Sequence, residues 1–156
     1  MAKQLTKGFA MLILVVMLAF VTAVVSANGQ SRRAMTSVPF EFTVGDTVLP
    51  AGDYTVGDIT SSGSVLKIGN RDTNQAVMRV TMQADGNSKT AKLVFHRYGQ
   101  RYFLAAVWTQ AGRLGRQLIK SRQERAIEKE SNRIASLSGH APRQEYETVE
   151  IATTMN

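Results

Sequence analysis

The chain has no cysteine, only two histidines and a single tryptophan among its 156 residues. Without cysteine there is no disulfide, no thiolate metal site, no cysteine nucleophile and no lipid attachment through an N-terminal cysteine. His96 and His140 stand far apart in the chain, and neither belongs to an H-x-x-x-H or H-E-x-x-H spacing, so no metal-binding helix face is encoded. The glycines form neither a phosphate loop nor a dinucleotide fingerprint, and no serine sits in a G-x-S-x-G elbow. Asp46, Asp53, Asp58, Asp72 and Asp85 lie mostly beside glycine, where aspartate serves turns, and they lack the D-x-D-x-D-G spacing of a calcium loop. No internal repeat and no low-complexity tract is present. The expectation is a non-enzymatic protein without catalytic residues, metal or cofactor.

What the chain does have is an N-terminal address. Lys3 and Lys7 precede an apolar run over residues 9–25, and Val25-Ser26-Ala27 offers small residues for a leader peptidase. This pattern predicts a signal peptide over residues 1–27. The alternative is an uncleaved anchor, because 17 apolar or small residues sit at the lower edge of a bilayer-spanning length. Arg32 and Arg33 follow on the side that would have to be translocated, which favours cleavage. An exported chain lacking cysteine fits a bacterial envelope, periplasmic or extracellular, with membrane contact only through the leader before cleavage.

Positive charge is concentrated in one third of what remains. Residues 28–88 carry 5 basic and 6 acidic side chains, residues 89–125 carry 9 and 1, and residues 126–156 carry 3 and 5. Such a basic segment attracts polyanions at range, and in the envelope those are lipid head groups, lipopolysaccharide phosphates or acidic glycans. The plainer alternative is a solvated basic rim that keeps the domain soluble. Nucleic acid is not an expected partner, because the leader sends the chain where nucleic acid is scarce.

From Val38 onward apolar residues recur at every second position and turn residues arrive every eight to twelve, an all-β pattern. Val38, Phe40, Phe42 and Val44 share one face of a first strand. Gly45-Asp46 predicts a type II′ hairpin that sets Val44 opposite Thr47 and Phe42 opposite Leu49. Tyr54 and Val56 mark a strand after the Pro50 to Gly52 turn, Leu66 and Ile68 another, and Ala76, Met78, Val80 and Met82 the inner face of a fourth. Gly99-Gln100 predicts a second tight turn with Tyr98 opposite Arg101, Arg97 opposite Tyr102, Phe95 opposite Leu104 and Leu93 opposite Ala106. That register buries Trp108 with them, while His96 faces outward beside Phe103. The run from Tyr102 to Trp108 is apolar on both faces, as for a strand covered from two sides.

Ser121 with Glu124 three positions later predicts a capped surface helix to Leu137 with a thin apolar stripe. The expected organisation is a flexible linker over 28–36, a β-domain over 37–115, a basic segment and helix over 116–137, and an acidic tail over 138–156 in which Tyr146 to Ile151 can add an edge strand. The fold class is all-β, an antiparallel β-sandwich or small open barrel of six to seven strands, the sandwich preferred.

Tyr98, Tyr102, Phe103 and Trp108 cluster in one hairpin beside Arg97 and Arg101, a composition suited to a sugar platform, although aromatics at alternate positions of a central hairpin usually form core. The candidate ligand-binding residues are Arg97, Tyr98, Arg101, Arg113, Arg116 and Lys120.

The stretch from Phe40-Glu41-Phe42-Thr43-Val44-Gly45 into Leu49-Pro50-Ala51-Gly52-Asp53-Tyr54, with Leu93-Val94-Phe95-His96-Arg97-Tyr98-Gly99, Tyr102-Phe103-Leu104, Val107-Trp108 and the Gly115-Arg116 to Glu124-Arg125 segment, resembles small exported β-domain proteins found mainly in acidobacteria, a group without an established activity. The resemblance implies export and a β-fold, and no chemistry. The chain is therefore expected to bind an anionic glycan or lipid head group. The alternative is a structural or assembly component that associates with other proteins through an exposed sheet edge.

Overall fold

A computed structural model describes residues 33–60, 62–137 and 146–155. The leader, residues 28–32 of the expected linker, and His140 with Pro142 lie outside the described residues. Within them the chain is mostly β with one helix, and eleven strands form one sheet. The strands are β1 (Arg33–Val38), β2 (Phe42–Val44), β3 (Thr47–Leu49), β4 (Gly52–Asp58), β5 (Val65–Asn70) and β6 (Ala76–Asn87). They continue as β7 (Lys92–Tyr98), β8 (Arg101–Trp108), β9 (Leu114–Leu118), β10 (Glu147–Ala152) and β11 (Thr154–Met155), and the helix is α1 (Arg122–Leu137). The strand count corrects the expected six to seven. Two differences account for much of it: residues 33–36 begin β1 instead of serving as linker, and β9 straddles the expected boundary at residue 115.

The order is β10-β7-β8-β9-β6-β5-β4-β1-β11, with the β2–β3 hairpin set against β8. All pairings are antiparallel except the single bridge of Thr43 to Phe103. Two segments each divide their length between two neighbours. The first half of β6 pairs β5, from Gly69↔Ala76 to Val65↔Val80, and its second half pairs β9 from Thr81↔Leu118 onward. The C-terminal segment pairs β7 through β10 and, after Thr153, touches β1 through β11 at Ala34↔Met155 and Met35↔Thr154. The two ends of the strand order are thus consecutive in the chain.

Both hairpin turns follow from their glycines. Gly45 has φ 62° while Asp46 keeps a negative φ, the combination of a type II′ turn, and Val44↔Thr47 and Phe42↔Leu49 pair as expected. Gly99, at φ 62°, sets Tyr98↔Arg101, Arg97↔Tyr102 and Phe95↔Leu104. Beyond that the register slips. An irregularity between Val94 and Phe95 leaves Ala105 without a partner, so Leu93 meets Val107, not Ala106. The slip turns Val107 into the core and Trp108 out of it, beside Lys92, whose ammonium lies 5.5 Å from the indole centroid.

The core gathers Val38, Phe42, Val44, Leu49, Tyr54, Val56, Leu66, Ile68, Leu93, Phe95, Leu104 and Val107. Phe42 is its hub, edge-on to Tyr54 at 5.0 Å and to Phe95 at 5.3 Å. The Tyr54 hydroxyl donates to the Pro50 carbonyl, closing the Pro-Ala-Gly turn. Strand β6 reverses the expected phase. Val77, Thr81 and Ala84 are buried, while Met78, Val80 and Met82 are exposed by 55%, 64% and 57%. As expected, Phe103 to Val107 are buried throughout, and α1 is a surface helix whose buried residues are Glu124 and Ala135.

Gly115 on β9 lies under the Trp108 ring, and a Cβ there would strike the indole. Gly115→Ala is expected to displace Trp108 and cost about 1–3 kcal/mol. Trp108 is the only tryptophan, so its emission wavelength and a urea titration read both effects directly.

Candidate functional site

The basic segment does not present its charge as one face. Lys92 Nζ lies 2.6 Å from Glu150 Oε1, Arg97 Nη1 3.1 Å from Glu147 Oε2, and Lys120 Nζ 2.7 Å from Glu128 Oε1. Their partners come from β10 and α1, the acid-rich part of the sequence, which folding brings back onto β7. Exposed pairs of this kind contribute about 0–1 kcal/mol, so their main effect is to cancel the local field. Arg97 is further held by donating Nε to the Gly99 carbonyl and lies over Tyr102, while Lys120 lies over Tyr146.

The aromatic platform is likewise committed to packing. Tyr102 stacks on Phe40 at 3.8 Å, and Tyr98 and Phe103 are buried against each other. Tyr98 therefore cannot serve as an exposed stacking ring. Among the described residues its hydroxyl is buried without a hydrogen-bond partner of normal geometry, and its pKa is pushed well above the usual phenol range, first by burial and then by the nearby Glu124 and Glu128 carboxylates.

Of the six candidate residues, Arg113 and Arg116 come together. They line a cavity of about 560 Å³ with Asp58, Asn87, Thr109, Gln110, Gly112 and Leu114. Its wall is built from the loop joining β8 to β9, the end of β6 and the end of β4. Gly112, at φ 72°, turns the loop and donates its N–H to the Ser88 carbonyl. Arg116 is anchored: Nη2 donates to the Ser62 carbonyl at 3.1 Å, Nε lies 3.7 Å from Asp58 Oδ1, and Gly63 leaves room for the guanidinium. Among the described residues Arg113 and Arg101 form no ion pair. Arg101 stands at the Gly99 turn, whereas β9 pairs β8 at Ala106 and Val107, roughly 20 Å along the strand.

Asp58, read from sequence as a turn aspartate, is the last residue of β4 and is half-buried. Burial raises its carboxyl above the ordinary range, with Arg116 pulling it back down. Asn87, Thr109 and Gln110 carried no signal beyond turn composition, because their meeting depends on long-range pairing of β6 with β9.

A second cluster lies beneath α1. His96 faces the outer side of β7 opposite Phe103, as expected, but it is covered. Its Nδ1 lies 2.7 Å from Glu124 Oε1, with the side chains only 14% and 4% exposed, and the Tyr146 ring covers the imidazole at 3.9 Å. With the carboxylate ionised, Nδ1–H is the donor. The Glu124 N–H donates to Ser121 Oγ, so the helix is capped as its sequence predicts, while the carboxylate turns to the sheet. The arrangement clamps helix to sheet. Among the described residues no three His, Asp or Glu side chains gather in a way that could hold a metal ion.

A third surface is apolar. Met78, Val80 and Met82 line the outer face of β6, and Ile119 flanks them at 56% exposure, beside a shallow depression that includes Gly45 and Arg79. No protein family, curated protein or solved structure matches this chain.

Removing one partner of the clamp leaves a buried charge or an unfilled space. His96→Phe is expected to lower stability by about 3 kcal/mol, and the double substitution His96→Phe with Glu124→Met to regain most of it, as read from urea midpoints. For Asp58, a folded-state pKa above the unfolded value means a stability contribution that is full below about pH 4 and lost as pH rises through the folded pKa. Asp58→Asn removes that loss. Its melting temperature should match that of the unsubstituted chain near about pH 3 and exceed it near about pH 7.

Proposed function

We propose that this chain is exported, is cleaved after Ala27, and acts in a bacterial envelope as a non-enzymatic binder of anionic glycan or lipid head groups. The leader pattern and the resemblance to exported β-domain proteins support the address. The observation that carries the binding role is the convergence of Arg113 and Arg116 on one cavity of ligand size, with Asp58 the only acid among the described residues that line it. Guanidinium groups present paired donors that suit carboxylate and phosphate oxygens. Arg101 adds to the attracting field from a distance, while Arg97 and Lys120 contribute little because their charges are matched by Glu147 and Glu128. We read the sheet as two layers with corners at β6 and at the β10–β11 junction, an arrangement that fits the preferred sandwich.

A second reading, association with another protein, is favoured by the exposed Met78, Val80 and Met82 stripe. The face suits such a contact better than the edge, because β10 at the end of the strand order carries Glu147 and Glu150, charges that discourage strand addition.

Retention on lipopolysaccharide and on an acidic polysaccharide across a salt series tests the first reading. Arg113→Ala with Arg116→Ala should lower affinity at least about tenfold and flatten the salt dependence, while Arg97→Ala with Lys120→Ala should change it little. Weak, equal retention of every variant, with self-association that grows with concentration and disappears in Met78→Gln with Val80→Gln, would put the second reading in front.

A further inference from the structure

A carboxylate beside the arginines works against a bare anion. At a few ångströms a second negative charge opposes the ligand as strongly as one guanidinium attracts it. The β8–β9 cavity nevertheless has Asp58 in its lining, next to Arg116. The contact between the two is an ion pair at 3.7 Å and not a hydrogen bond; Asp58 Oδ1 is buried beside Arg116 and accepts no hydrogen bond among the described residues, while a third of the Asp58 side chain remains exposed. Arg116 is occupied elsewhere, holding the Ser62 carbonyl through Nη2. The cavity therefore combines a fixed guanidinium, a second guanidinium on Arg113 without an ion-pair partner among the described residues, a carboxylate that is partly exposed, and the amide and hydroxyl of Asn87 and Thr109.

We propose, resting on the anion-binding reading above, that this cavity selects an acidic sugar, a hexuronate unit with free hydroxyls, and that Asp58 imposes the selection. The uronate carboxylate meets Arg113 and Arg116, and a ring hydroxyl donates to the Asp58 carboxylate. Each group then finds the partner its charge and hydrogen count require. A hydroxyl-free polycarboxylate satisfies the arginines but, once ionised, has nothing to donate to Asp58 and is repelled by it, while inorganic phosphate keeps a P–OH donor but is too small to fill the cavity. The volume agrees: about 560 Å³ is far more than one phosphate fills and lies within the range of small-molecule sites. Among the described residues the lining is mostly polar, with Leu114 its one large apolar side chain, which suits a sugar better than an acyl chain. Burial already makes the Asp58 charge costly, and a ligand hydroxyl offsets that cost.

Calorimetry on the full-length chain, expressed with its own leader and purified as processed, separates the outcomes. The probes are a galacturonic acid trisaccharide, tricarballylate, which has three carboxylates and no hydroxyl, and inorganic phosphate. The unsubstituted chain should bind the trisaccharide at least about tenfold more tightly than either of the others. Asp58→Ala should bring the ratio toward one, weakening the trisaccharide and strengthening tricarballylate. Asp58→Asn, which keeps the shape of the side chain, should move the ratio in the same direction by less, and unchanged Trp108 emission checks that each variant is folded. Arg113→Ala with Arg116→Ala should lose the trisaccharide and tricarballylate together. Tricarballylate or phosphate binding as tightly as the trisaccharide, or a ratio untouched in both Asp58 variants, overturns the sugar selection while leaving an anion site in place. Absence of binding to any of the three probes overturns both.

Discussion

The pairing of β10 with β7 is the contact on which the rest of the molecule depends. Six residues, from Glu147↔Arg97 to Ala152↔Lys92, are laid antiparallel along β7, and the chain then crosses to β1 within three residues. One short segment thereby links the two ends of the sheet order and sets the electrostatics of the basic region. Glu147 and Glu150 meet Arg97 and Lys92, and Tyr146, just before the strand, covers His96. Were this segment the solvated tail its composition suggests, β7 would present a positive face. With it in place, the charges of β7 are matched, and Arg101 and Arg113, toward opposite ends of β8, form no ion pair among the described residues.

Glu124 has a similar double duty on a smaller scale. Its backbone N–H is capped by Ser121 and its carboxylate holds His96, so one residue fixes both where α1 begins and where it rests. The helix has little else to position it, since Glu124 and Ala135 are its buried residues and its apolar stripe is thin. Burying a carboxylate is costly, and a buried pair often adds little net stability over apolar packing of the same shape. What the pair supplies here is register: the imidazole accepts one placement of the helix and leaves the charge unpaired in others.

The parts of the fold legible in the sequence were those decided by local chemistry. Gly45-Asp46 and Gly99-Gln100 dictate two hairpins because few residues tolerate positive φ, and Ser121 marks the helix start because its hydroxyl satisfies an otherwise orphaned N–H. Alternation was less decisive. In β6 both faces carry apolar side chains, Val77 on one and Met78, Val80 and Met82 on the other, and the period is the same whichever face is buried. The register of β7 on β8 was legible from the turn as far as Phe95↔Leu104 and lost where Ala105 is left over, since nothing in the local pattern marks a bulge. Of the candidate site, Arg113 and Arg116 were named from charge alone. Asp58, Asn87 and Thr109 join them only through pairings between distant strands, and the ion pairs that remove Arg97 and Lys120 arise in the same way.

Strand β6 contributes to both the methionine stripe and the arginine cavity. Its first half, paired with β5, turns Met78 and Val80 outward. Its second half, paired with β9, ends at Asn87 in the wall of the arginine cavity. Nine residues separate Met78 from Asn87, a distance of roughly 30 Å in extended chain, less whatever the bend at the change of partner removes. Met82, by contrast, lies five residues from Asn87 and next to Gln83, which pairs Arg116 of the cavity. A macromolecule covering the whole stripe would therefore border the cavity, whereas contact at Met78 and Val80 alone would lie away from it; the strand divides into a half distant from the cavity and a half beside it. The transfer of β6 from one neighbour to the other at Val80 and Thr81 makes this division, because it gives one continuous strand to both surfaces.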